Sequence, residues 1–194
     1  MFAASVFTCA LSGCGGESGE RAHGKADASS AVSDSAAPDR GQLDSSRPDS
    51  ESGPDFPGSY TVPDGWVKME KYSTKNKVFY AEEGHEDDER PDNISVEVGT
   101  NRYSADEHEK FRNAIVRQLT MQLQGVDAEL TGTGTFTAQD DILYIFTIEE
   151  KDVVTRQFYI VGDRRYCLIH LTNFTGSEYA DDAARAMADS FVWN

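Results

Sequence analysis

Between Gly15 and Gly58 the chain carries only three large apolar residues, Val32, Leu43 and Phe56, whereas from Tyr60 to Asn194 such residues recur with the periods of strands and helices. This break decides where a core can form. A stretch of Gly, Ser, Ala, Asp and Pro cannot bury enough surface to offset the entropy of ordering it. Residues 14–58 therefore read as a disordered linker, with a typical reach of about 35 to 40 Å. Residues 59–194 read as one globular domain.

Charge limits what that domain can bind. The whole chain has 34 acidic and 18 basic residues, a net charge of -16. The domain alone carries 25 acidic against 14 basic side chains, a net of -11. Phosphate contacts need clustered Lys and Arg, so direct nucleic-acid binding is excluded. Docking of the domain itself on anionic lipid is disfavoured for the same reason.

Within the domain, Val62-Pro63-Asp64-Gly65-Trp66 forms a tight turn leading into a strand that starts at Trp66. Strands follow at Lys77–Ala81 and Ile94–Val98, the latter alternating apolar with polar residues as a half-buried strand does. Ser104 and Glu107 match a capping box that opens a helix running to Gln124 and stopping at Gly125. Its apolar stripe is Phe111, Ile115, Leu119 and Leu123, with Ala114 and Val116 beside it. Glu129–Thr137 places threonines on one face and Gly132, Gly134 and Phe136 on the other. The glycines there fit a strand lying under a close neighbour better than a phosphate loop, since neither a helix start nor a Lys follows.

Ile142–Glu149, Val153–Val161 and Tyr166–Asn173 read as an antiparallel meander. The first has two apolar faces, which requires a central strand covered on both sides. Tyr179, Ala183 and Met187, with Ala180, Ala184 and Ala188, make a second amphipathic helix, and Phe191-Val192-Trp193 a closing strand. The fold class expected is α+β, an antiparallel sheet with helices packed against it. Trp66, Phe111, Ile115, Leu119, Phe146 and Met187 should lie between sheet and helices.

Few residues suggest chemistry. His85-Glu86 and His108-Glu109 begin like His-Glu-x-x-His, but Glu89 and Arg112 stand where the second histidine is required, so catalytic zinc is not expected. The loop from Glu82 to Asp92 holds seven carboxylates and Arg90. It lacks the alternating ligands of a calcium loop and reads as a solvated acidic surface suited to a basic protein partner, with Glu86, Asp87, Asp88 and Glu89 as the contact. His170, within a strand, reads as a hydrogen-bonded core histidine, and Cys167 as a small buried hydrophobe. No cofactor and no catalytic residue is called for.

Two resemblances place the chain. Leu11-Ser12-Gly13-Cys14, at the end of a short apolar run, resembles a bacterial lipobox. That implies a signal peptide over residues 1–13, short of its basic start, lipidation of Cys14, and a mature protein held on the extracytoplasmic face of the cell membrane. The Pro63 to Trp66 turn, the order of the elements and the aromatic Ser190-Phe191-Val192-Trp193 resemble PsbP-like domains, including the DcrB-like bacterial lipoproteins. This resemblance implies an α/β/α sandwich and a non-catalytic protein-binding or accessory module. The competing expectation is a small-molecule-binding lipoprotein or hydrolase with a pocket near His170.

Overall fold

The computed structural model describes residues 56–194. The expectations for residues 1–13, for Cys14 and for the linker fall outside the described residues. In chain order the elements are β1 (Gly58–Ser59), β2 (Trp66–Lys68), β3 (Lys77–Glu82), β4 (Asn93–Thr100), α1 (His108–Gln122), β5 (Ala128–Phe136), β6 (Ile142–Glu150), β7 (Val153–Gly162), β8 (Arg165–Asn173), α2 (Glu178–Ser190) and β9 (Val192–Trp193).

Seven strands form one antiparallel sheet in the order β2-β3-β4-β8-β7-β6-β5. The chain runs β2, β3, β4 as a meander, and α1 then carries it across one face to the far edge. From there β5 to β8 return as a second meander until β8 seats against β4, with Val96 opposite Ile169. Next, α2 crosses the other face. The expected antiparallel sheet with helices against it is therefore an α/β/α sandwich with a core on each side.

The alternation of side chains along each strand divides the apolar residues between those cores. On the α1 side, Phe111, Ile115 and Leu119 pack with Tyr144, Phe146, Ile148, Tyr159 and Tyr166. On the α2 side, Ala180, Ala183, Ala184 and Met187 pack with Trp66, Leu143, Phe158, Ile160 and Ile169. The small residues of α2 let it sit close to the sheet. All six residues expected between sheet and helices are buried.

Local sequence accounts for the ends of the elements. Ser104 and Glu107 form the reciprocal capping box around a 3-10 turn at Ala105–Glu107 that leads into α1. Gly125 stops the helix in the left-handed region, at φ 81°. Val116, placed beside the apolar stripe, instead faces outward with 36% of its surface exposed.

Two placements differ from the sequence reading. β6 is covered on both faces as required, but it stands second from an edge, and β8 occupies the middle of the sheet. The closing segment β9 does not join the main sheet. It pairs with β1, Gly58 opposite Trp193. Phe56 is buried against Tyr60, and Asn194 donates its backbone N–H to the Pro57 carbonyl. Among the described residues, Phe56 to Gly58 therefore already pack with the domain, because the C-terminal strand pairs with β1.

Candidate functional site

Neighbouring strands alternate in direction, so β2, β4, β5 and β7 begin, and β3, β6 and β8 end, at the same end of the sheet. To this end the chain brings exposed carboxylates from distant segments. They are Asp64 before β2, the loop after β3, Asp127 and Glu129 around the start of β5, Glu149 and Asp152 at the turn from β6 to β7, and Glu178 and Asp182 at the start of α2. Arg90 and Lys151 are exposed there as well, while Arg156 is committed to Asp181 at 2.8 Å. Lys68, Lys71, Lys75, Arg102, Arg164 and Arg165 lie toward the opposite end, where Glu70, Asp106, Glu107, Asp140, Asp141 and Asp163 balance them. The domain is therefore electrically polar along its strands, with one strongly acidic end.

The loop 83–92 is built into that end. The Glu83 N–H donates to the Gly65 carbonyl at 2.8 Å, tying the loop to the turn before β2. His85 Nδ1 and Asp88 Oδ2 stand 2.8 Å apart, and that hydrogen bond, followed by the Asp88 charge, raises the His85 pKa. Asp87, Asp88 and Glu89 are exposed, whereas Glu86 is half-buried.

Asp92 does something different from the other carboxylates of the run. It is buried, and Oδ1 accepts the backbone N–H groups of Phe174 at 2.6 Å and Thr175 at 3.1 Å, while Oδ2 accepts the Thr175 hydroxyl at 2.5 Å. Arg90 lies over the Phe174 ring, 4.4 Å from its centroid. The acidic loop is in this way fastened to the turn between β8 and α2. Asn173 completes that turn, its Oδ1 accepting the N–H groups of Gly176 and Ser177. The isolated Pro91 is the one sequence signal that the solvated run ends before Asp92.

The other residues weighed from sequence are kept apart. Among the described residues no group of three or more His, Cys, Asp and Glu side chains is placed to hold a metal ion. His108 Nδ1 meets the Tyr144 hydroxyl at 2.7 Å, holding the first turn of α1 to β6. Cys167 and His170 are three positions apart on β8 and so point to opposite faces. Cys167 is wholly buried on the α2 side, where burial pushes its thiol pKa well up.

His170 lies opposite Ser95 of β4 and Gln157 of β7. Among the described residues the His170 side chain makes no hydrogen bond, and it is half-buried, so the hydrogen-bonded core histidine expected from the sequence is not what the sheet builds. Burial first, and the Lys77 charge second, lower its pKa from 6.5 to about 4. The unfolded chain then takes up a proton below pH 6.5 that the native state refuses. This contribution to stability is complete above pH 6.5 and is lost as pH falls toward 4. In urea titrations His170→Gln should lose about 1–3 kcal/mol less over that interval than the native chain, a range reduced for the ring's partial exposure. Equal losses would show that the imidazole is freely hydrated.

A groove of about 540 Å³ runs between α1 and β5, with Arg112, Asn113, Val116 and Thr120 on one wall and Leu130 to Gly134 on the other. Phe146 forms part of its floor. A Cβ on Gly132 would stand 2.9 Å from that ring, and one on Gly134 would stand 3.1 Å from the Tyr144 ring. Close neighbours thus explain both strand glycines, as the sequence suggests. His170 is not among the walls of this groove.

No protein-family model and no curated protein matches the chain by sequence. Among solved structures, the chain is similar to cyanobacterial PsbP (CyanoP) from Synechocystis sp. PCC 6803, with 11% identity and a TM-score of 0.47 over 75% of this chain and 92% of that one. It is also similar to a structure from Bacteroides thetaiotaomicron, with 12% identity and a TM-score of 0.38. The match takes in 71% of this chain and spans less than half of that protein, 45%. Both are likenesses of shape.

Proposed function

We propose that this chain is a lipid-anchored extracytoplasmic protein whose domain binds a protein partner through the acidic end of the sheet, without catalysis of its own. The observation that carries the reading is the convergence of carboxylates from five separate segments on one end, where a basic or mixed protein surface would meet them together. The anchor is inferred from Leu11-Ser12-Gly13-Cys14. Two acyl chains suffice for stable attachment, at about 0.8 kcal/mol per buried CH₂. Attachment raises the domain's effective concentration toward partners near the membrane.

Two measurements test the two halves separately. Fractionation of cells expressing Cys14→Ala should find the protein outside the membrane pool; unchanged membrane association would overturn the anchor. Crosslinking on intact cells should capture a partner whose association slows as salt rises. Neutralising Asp87, Asp88 and Glu89 to the amides, together with Glu86, should slow it by about tenfold while leaving unfolding unchanged. Association indifferent to both salt and these substitutions would overturn the acidic surface. Substrate turnover by the purified chain that is lost in His170→Gln would replace the binding reading with an enzymatic one.

A further inference from the structure

The two edges of the sheet are treated differently. β2 is three residues long and carries Lys68, features that discourage further pairing. β5 is nine residues long, has no Pro or Lys, bears Glu129 as its sole charge, and is exposed along most of its length. An edge of this kind is a template for another strand.

The hydrogen-bonding phase of that edge follows from its hairpin. The Thr137 N–H donates to the Asp141 carbonyl at 2.9 Å, and the pairing continues with Thr135 opposite Leu143 and Thr133 opposite Ile145. By the alternation of antiparallel ladders, odd-numbered residues of β5 bond to β6, and even-numbered residues turn N–H and C=O outward. The outward set comprises Leu130, Gly132, Gly134 and Phe136.

The sequence around Thr133 reads the same in both directions: Thr131-Gly132-Thr133-Gly134-Thr135. We infer that β5 pairs antiparallel with β5 of a second copy about a two-fold axis at Thr133, joining two seven-stranded sheets into one. In that register Gly132 faces Gly134 of the second copy, so the outward-turned groups meet and bond in both directions. Thr133 faces its own counterpart and Thr131 faces Thr135, giving a row of threonine pairs of the kind that stabilises sheets.

On the opposite face Leu130 stands across from Phe136, which is 61% exposed in the single chain. Glu129 falls opposite Thr137, so no like charges meet along the ladder. Arg185 reaches the Phe136 carbonyl at 3.4 Å, a long contact that leaves the central glycine bonds free to form first. A partner of unrelated sequence would use the same backbone groups but not this symmetry. A self-pairing edge is isologous and closes after two copies.

The interface is small, so the dimer should be weak, with a dissociation constant in the micromolar range or above. Because each chain carries a net charge of -16, added salt should strengthen it, opposite to the salt response of the acidic surface. The test is sedimentation velocity of the purified full-length chain across micromolar to millimolar concentrations. Thr133→Glu and Thr133→Lys each place like charges face to face on the axis, and each should weaken self-association on the order of tenfold. Mixing the two variants should restore it as a mixed dimer, an outcome that misfolding cannot produce. Thr131→Lys with Thr135→Glu in the same chain should preserve dimerisation, because each lysine then faces a glutamate. A chain that stays monomeric throughout, or a dimer indifferent to charge at Thr133, would overturn the inference.

Discussion

Phe111→Ala should cost about 3–5 kcal/mol of folding stability, measured by urea or guanidinium unfolding. Phe111 is fully buried at the centre of the α1-side core. Its ring meets Tyr159 at 5.8 Å in an edge arrangement, Tyr166 at 5.5 Å and Tyr103 at 6.4 Å. Truncation removes the largest side chain that α1 contributes and the aromatic geometry that adds to simple burial. The three tyrosines are held by separate elements, β7, β8 and the segment before α1, so they have little freedom to close the cavity. Given total stabilities of about 5–15 kcal/mol, the loss would be a large fraction of the whole. A cost below about 1 kcal/mol would show that α1 does not cover the sheet as described.

Asp92→Ala should cost about 2–4 kcal/mol, although no apolar contact is deleted. The substitution leaves the N–H groups of Phe174 and Thr175 and the Thr175 hydroxyl without their acceptor. Asp92→Asn keeps one acceptor oxygen and should lose roughly half as much. Limited proteolysis supplies a second readout. Once its fastening to the β8–α2 turn is gone, cleavage in 83–90 should accelerate well beyond what the change in global stability explains. Unchanged cleavage with unchanged stability would mean that Asp92 is hydrated rather than buried.

These two residues show different degrees of legibility. Phe111 was readable because a helix buries one stripe, and Phe111, Ile115 and Leu119 recur at the spacing that makes one. Val116 was misplaced beside that stripe because an apolar residue on a helix flank carries no mark of whether a neighbouring strand covers it. Asp92 was not readable as a fastening, since an acid at the end of an acidic run has the same composition whether it meets water or a backbone turn. Its partners lie 82 and 83 positions away. The strand glycines Gly132 and Gly134 were legible as places of close approach, but the rings that approach them could be named only once β6 was paired in register.

The sequence by itself determined the identity of the elements, the two-sided apolar pattern of β6, the capping of α1, and the break between a chain that can build a core and one that cannot. Periodicity, capping and composition act over a few neighbouring residues, and their signals survive in one dimension. Only the tertiary structure decided the strand order, with β8 rather than β6 in the middle, and the pairing of β9 with β1. It also decided that carboxylates from five segments share one end and that, among the described residues, β5 is left as a long edge with no strand beside it. Each of these depends on which distant strands hydrogen-bond and in what register, a choice made by the whole sheet when its two faces are buried together.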